Sequence, residues 1–129
     1  MKAYTDVDQS KKLAEFLSIE SADMYYEFDF DLNMNVKWSL YPNVIKENKH
    51  FELHSNDIPC WSLAVLLSII PKHIKDYNVF RIDIGDNNFS VWYDEIGFGV
   101  NSDLPNITMK EPIDACVEMI IKLHEQNTL

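Results

Sequence analysis

Residues 58–71 read Ile-Pro-Cys-Trp-Ser-Leu-Ala-Val-Leu-Leu-Ser-Ile-Ile-Pro, the longest apolar stretch of the chain. Between its two prolines, every residue except two serines is Cys, Trp, Ala, Val, Leu or Ile, so a helix over 59–70 would be apolar on nearly every side. Asp57 is a suitable N-cap, and a proline is tolerated in the first turn. The stretch predicts a buried central helix that organises the rest of the fold.

The length and composition predict one globular domain over residues 1–129. A chain of 129 residues buries roughly two thirds of its unfolded surface. Hydrophobic residues make up 47% of the chain, with only three glycines and five prolines, which is typical of an ordered protein.

Two further helices are predicted at the chain ends. The first spans 6–17, capped by Thr5 or Asp6. The last opens at Glu111-Pro112, and its apolar residues repeat at i, i+3, i+4 and i+7 from Ile113 to Leu123. We expect both terminal helices to pack on the central helix.

The remaining segments alternate between apolar and polar residues, as half-buried strands do. The strands are expected at 24–32, 34–40, 50–54, 79–84, 89–93 and 96–100. Residues 43–49 and 101–110 are interpreted as loops, and 85–88 as a hairpin turn. The prediction is an α+β fold with an antiparallel sheet of four to six strands.

The charge points to a basic partner. The formal net charge is −10, and Arg81 is the single arginine. Direct nucleic-acid binding is disfavoured because phosphate backbones are held by clustered Lys and Arg. We therefore expect a protein partner of basic character, while the alternative is that the acidity only maintains solubility.

The chain is expected to be cytoplasmic. Residues 1–6 contain no apolar signal region. The apolar stretch would reach only ~18 Å as a helix, against ~30 Å of hydrocarbon, so no membrane span is predicted. Cys60 and Cys116 are expected as buried, reduced thiols.

No catalytic residue, metal site or cofactor is predicted. His50-Phe-Glu52 followed by Pro59-Cys60 is similar to the zinc deaminase pattern, but Leu63 stands where the second cysteine is needed. His50 and His54 would lie ~13 Å apart on one strand, too far to share an ion. No glycine-rich phosphate loop and no nucleophile motif occurs.

A row of acidic residues on the first strand is the main candidate for partner binding. Glu27, Asp29 and Asp31 would follow one strand face at ~6.6 Å intervals, with Tyr25 at one end. Such a row can imitate a phosphate backbone or dock on a basic enzyme, or it can be a solvated face that discourages aggregation. Trp92 and Asp94 share another predicted strand face and are the second candidate.

Four segments carry a resemblance to a known group of proteins. They are Thr5-Asp-Val-Asp-Gln-Ser-Lys-Lys-Leu, Ser21-Ala-Asp-Met-Tyr-Tyr, Ile58-Pro-Cys-Trp-Ser-Leu-Ala-Val-Leu-Leu and Glu111-Pro-Ile-Asp-Ala-Cys-Val-Glu-Met-Ile. They resemble small uncharacterised proteins of gut Bacteroidales genomes, often encoded in phages and conjugative elements. The resemblance covers most of the chain and implies a cytoplasmic accessory protein of a mobile genetic element. It carries over no functional residues.

Together these observations predict an acidic protein-binding module that inhibits a basic host or defence protein, with nucleic-acid mimicry as one mode. The alternatives are a toxin-neutralising immunity protein and an enzyme with an unrecognised carboxylate site. A cleft with two or three inward carboxylates would favour the enzyme, whereas carboxylates along a convex face would favour the binders. The oligomeric state is not predicted.

Overall fold

A computed structural model describes residues 1–42 and 57–129. The predicted loop 43–49 and the predicted strand 50–54, with His50 and His54, lie outside these described residues. The helices are α1 Val7–Ala14, α2 Leu63–Ile69 and α3 Pro112–Glu125. The strands are β1 Met24–Phe30, β2 Val36–Pro42, β3 Ile58–Cys60, β4 His73–Ile74, β5 Asn78–Ile84, β6 Phe89–Glu95, β7 Gly99–Val100 and β8 Ile107–Met109.

The α+β class is confirmed, with the strands divided between two sheets. One sheet has the order β2-β1-β3, and the other has the order β4-β5-β6-β7 with β8 also paired to β6. All of these strand pairs are antiparallel, as the alternating patterns predicted. Within the described ranges, no helix has the length and apolar character needed to cross a bilayer.

The chain divides into two compact units. Residues 4–65 form the N-terminal unit, and residues 1–3 with 66–129 form the C-terminal unit, so the division falls inside α2. The single domain expected for the whole chain stays a prediction.

In the N-terminal unit, α1 packs against β3. The helix begins with a capping box in which the Asp6 carboxylate accepts from the Gln9 N–H and the Gln9 side chain accepts from the Asp6 N–H. The core beneath contains Tyr26, Ile58 and Cys60. The first helix is therefore confirmed, although it ends three residues earlier than predicted.

In the C-terminal unit, α3 packs against β6 and β8. The side chains of Phe89, Val91 and Tyr93 are buried, and so are the residues of α3 that the i, i+3, i+4, i+7 pattern identified. The hairpin of β5 and β6 around residues 85–88 is confirmed. The packing of the terminal helices on α2 stays a prediction.

The prediction of one buried helix over 59–70 is wrong in its first third. Residues 58–60 form β3, which pairs with the start of β1, and the helix begins at Leu63. Asp57 therefore precedes a strand, and the Ser62 hydroxyl accepts from the Val65 N–H at the helix start. Only Leu66 is buried within α2, so the helix is not enclosed on nearly every side.

Shorter elements also differ from the prediction. The strand expected at 96–100 is reduced to β7, and the predicted loop 101–110 contains β8. The first strand ends at Phe30 instead of Leu32.

Candidate functional site

The predicted partner-binding residues fall into two sets, one in each unit. Tyr25, Glu27, Asp29 and Asp31 belong to the N-terminal unit, and Trp92 and Asp94 belong to the C-terminal unit. Each set is therefore described as a separate surface.

On β1, the acidic row is shorter than predicted. Glu27 is half-buried and Asp29 is exposed, and both share a sheet face because they are two residues apart on β1. Lys37 stands directly opposite Asp29 on β2, which places a cation beside this carboxylate. β1 thus presents two carboxylates, with a lysine of β2 beside the second, instead of an uninterrupted line of negative charge.

Asp31 lies beyond the end of β1, and its carboxylate belongs to the turn. Oδ1 accepts hydrogen bonds from the Asn33 N–H at 2.8 Å and the Asn35 N–H at 2.9 Å. The hydrogen bond from Asn35 is the main reason that the pKa of Asp31 is lowered. This side chain holds the turn between β1 and β2, which the alternating pattern did not indicate.

Tyr25 is buried, which corrects the expectation of an exposed aromatic at the end of the row. It is 8% exposed, and its ring stacks on Tyr41 with centroids 5.6 Å apart. Burial raises its pKa, with a smaller contribution from Glu27. The ring is thus part of the sheet packing.

The opposite face of the same hairpin and its turn expose apolar side chains that were predicted to be buried. At the strand ends, Phe30 is 49% and Val36 is 56% exposed. In the turn between them, Leu32 is 103% and Met34 is 73% exposed. Two residues further from the turn, the paired Phe28 and Trp38 rings pack edge to face with centroids 5.2 Å apart. We call the side chains of residues 27–36 the hairpin surface.

The exposed positions lie beyond the described pairing of β1 with β3. β3 pairs only with Met24, Tyr25 and Tyr26, so from Glu27 onward β2 is the one strand neighbour of β1 among the described residues. Burial falls in step along β1, from buried tyrosines to exposed Asp29 and Phe30. An alternating sequence cannot reveal this gradient, because it shows which residues share a face but not what covers it.

Trp92 and Asp94 share a face of β6, as predicted, and they contact each other. The Trp92 Nε1–H donates to Asp94 Oδ1 at 2.8 Å, and Arg81 Nε lies 3.4 Å from Asp94 Oδ2. Both Trp92 and Asp94 are half-buried, whereas Phe89, Val91 and Tyr93 of the opposite face are buried. Asp94 is therefore already held by two partners within its own sheet.

The cysteines are packing residues in this structure. Both are buried thiols, and burial raises the pKa of Cys60 and raises that of Cys116 to about 12. The Cys60 thiol donates to the Thr5 carbonyl at 3.4 Å. Among residues 1–42 and 57–129, no group of three or more His, Cys, Asp or Glu side chains is arranged to hold a metal ion.

A cavity in the C-terminal unit was not predicted from the sequence. Its volume is about 620 Å³, and it is lined by residues from four separate segments, including Tyr77, Glu95 and Asp103. The only available signal was the density of Asn, Asp and Thr residues in the loops that surround it.

The chain matches no protein-family model, no curated protein and no solved structure. Its function therefore has to be argued from the geometry of these surfaces.

Proposed function

We propose that this protein is an acidic protein-binding module that docks on a basic protein through the hairpin surface. The observation that carries the proposal is the exposure of Phe30, Leu32, Met34 and Val36 at the end of a hairpin whose opposite face carries the carboxylates of Glu27 and Asp29. Several exposed apolar side chains grouped at one end of a hairpin are typical of a protein interaction site.

The conformation of Met34 supports a role beyond folding. This residue has φ 64°, in the left-handed region that costs most side chains about 1–2 kcal/mol and that Gly or Asn adopts more easily. Its side chain is nonetheless 73% exposed. A strained, exposed methionine contributes little to the stability of the isolated chain, whereas a flexible thioether suits a binding surface.

The two kinds of side chain have different tasks in the proposed complex. Burying a leucine such as Leu32 in a partner gains about 1.5–3 kcal/mol, so the apolar side chains provide affinity. The carboxylates of Glu27 and Asp29 attract a basic surface and speed association, an effect that salt weakens.

Mimicry of a phosphate backbone has less support than apolar docking guided by charge. It requires a regular row of carboxylates, and the strand offers two, with Lys37 opposite the second. Within the proposal the protein acts in the cytoplasm as an accessory factor of a mobile genetic element, in line with the resemblance of its sequence. A host or defence protein and a toxin to be neutralised are both partners of the required basic character.

The test is photo-crosslinking in lysate of a Bacteroidales host, with a benzophenone side chain at position 32. Position 84 is the matched control, because Ile84 is also apolar and 78% exposed but lies in the other unit. The proposal predicts a crosslink to one basic protein from position 32 and none from position 84.

A matched pair of charge variants tests the same surface. Glu27→Gln with Asp29→Asn should weaken capture of the crosslinked protein, while Asp83→Asn with Asp86→Asn, which removes the same charge from exposed positions, should not. Equal capture by all variants, or equal crosslinking from both positions, would show that the hairpin surface is not the docking site.

A further inference from the structure

The cavity of the C-terminal unit is formed where four segments of the chain come together. These are the turn between β4 and β5, the end of β6, the loop that follows β7, and the residues after α3. Its volume of about 620 Å³ lies within the range of small-molecule and cofactor sites.

A chain of amide hydrogen bonds fixes the cavity wall. The Asp103 N–H donates to Asn101 Oδ1 at 2.9 Å, Asn101 Nδ2 donates to Asn78 Oδ1 at 2.8 Å, and Asn78 Nδ2 donates to the Ile74 carbonyl at 3.0 Å. Asn78 is only 2% exposed. The wall is therefore preformed, so a ligand does not have to order it on binding.

The charges around the cavity favour a cation. Glu95 and Asp103 line it, against the single positive charge of Lys75. Residues 126–128, which follow the last turn of the 14-residue helix α3, form another part of the lining. The C-terminal end of a helix carries about half a negative elementary charge, which adds to that of the two carboxylates.

The cavity also offers apolar contacts. Tyr77 and Leu104 line it, and Tyr77 is 45% exposed, so its ring is accessible. The Tyr77 carbonyl accepts from the Ile96 N–H, which fixes the main chain at this side of the cavity. Carboxylates beside an aromatic ring suit a cation on an aliphatic stem, because the ring contacts both the stem and the charge.

We propose that this cavity binds an alkylguanidinium or alkylammonium group, supplied either by a free diamine-like molecule or by an arginine or lysine side chain of another protein. Glu95 and Asp103 accept hydrogen bonds from the cation, and Tyr77 packs on its stem. This site is separate from the hairpin surface and does not rest on the function proposed above.

The test is a titration of the ¹⁵N-labelled chain, followed by amide chemical shifts. The probes are agmatine as the free cation, acetyl-Gly-Arg-Gly-amide as the side chain, and the same peptide with uncharged citrulline as control. Saturable shifts confined to residues 74–78, 95, 101–104 and 126–128 are expected with at least one cationic probe, and none with the citrulline peptide. The tighter of the two cationic probes identifies the source of the ligand.

Two variants separate a specific site from general attraction to an acidic protein. Glu95→Gln with Asp103→Asn should weaken binding about tenfold or more, because charge-assisted hydrogen bonds are lost. Asp83→Asn with Asp86→Asn removes the same charge elsewhere and should leave binding unchanged. Shifts spread over the whole acidic surface, equal losses in both variants, or equal binding of the citrulline peptide would overturn the proposal.

Discussion

Replacing Thr5 with valine tests the buried polar cluster that joins the start of α1 to β3. Thr5 is 0% exposed, and its hydroxyl accepts from the Trp61 N–H at 3.1 Å and lies 2.7 Å from the Ser10 hydroxyl. Valine keeps the shape of the side chain but replaces the hydroxyl with a methyl group. The Trp61 N–H, the Ser10 hydroxyl and the Cys60 thiol, which accepts from the Thr5 hydroxyl at 3.5 Å, then each lose a partner in a buried site.

The expected loss of unfolding free energy comes mainly from the Trp61 N–H, the main-chain donor that Thr5→Val leaves without its acceptor. The Trp61 N–H is part of the main chain, and a buried donor left unpaired costs about 1–3 kcal/mol. The Ser10 hydroxyl can turn towards a carbonyl of its own helix, so its loss adds little. Thr5→Val should therefore lower the free energy of unfolding by about 1–3 kcal/mol.

Urea unfolding monitored by tryptophan fluorescence and circular dichroism measures this change. Combining Thr5→Val with Ser10→Ala should give a smaller loss than the sum of the single variants, by about 0.5–1.5 kcal/mol, because the two hydroxyls share one bond. A loss of less than about 0.5 kcal/mol for Thr5→Val would refute the reasoning, since it would place the change within the range of ordinary surface substitutions.

Three further predictions concern a thiol, a turn and a strained residue. The pKa of Cys116 rises from 9.0 to about 12 on folding, so the free energy of unfolding should fall by up to about 1.4 kcal/mol per pH unit between these values, relative to a Cys116→Ala variant in the same alkaline urea titration. Because the pKa of Asp31 is lowered in the folded chain, its hold on the turn is present above the ordinary pKa of 3.8 and is lost as the pH falls through the lower value. The protection of the Asn33 and Asn35 amides, relative to their intrinsic exchange rates at the same pH, should fall in that acid range and in Asp31→Ala at neutral pH, but less in Asp31→Asn, which keeps an acceptor oxygen. Met34→Asn should raise the free energy of unfolding by about 0.5–1 kcal/mol in urea, and an unchanged or lower value would argue against strain at this position.

Elements with strong local signals could be predicted from the sequence. The capping residues Asp6 and Gln9, the turn at 85–88 and the apolar spacing from Ile113 to Leu123 each act within a few residues, so the local pattern was sufficient. The pairing of β1 with β2 followed in the same way from two alternating segments and a short turn.

The central segment shows where local pattern stops being informative. A short continuous apolar run is compatible with a buried strand and with a buried helix, so residues 58–60 could not be separated from α2. What decided the outcome is their pairing with Met24, Tyr25 and Tyr26, some 35 residues earlier in the chain. Phe30 and Leu32 are exposed, which the alternation of residues 24–32 did not indicate.

The candidate sites depended even more on long-range contacts. Glu27 and Asp29 were identified because they are neighbours in sequence, whereas Asn78, Asn101 and Asp103 meet only after β5 and the loop following β7 come together. The role of Asp31 depends on where β1 ends. Because the strand stops at Phe30, the Asp31 carboxylate binds the turn amides and does not continue the acidic row on the strand face.

The most direct test of the hairpin surface measures how fast this protein binds and leaves the partner identified by crosslinking. Surface plasmon resonance at several salt concentrations gives both rates. Leu32→Ser should weaken affinity roughly tenfold to 150-fold through faster dissociation, because a buried leucine contributes about 1.5–3 kcal/mol. Glu27→Gln with Asp29→Asn should slow association and reduce its dependence on salt. The proposal is contradicted if Ile84→Ser and Asp83→Asn with Asp86→Asn change these rates as much, or if Leu32→Ser leaves dissociation unchanged.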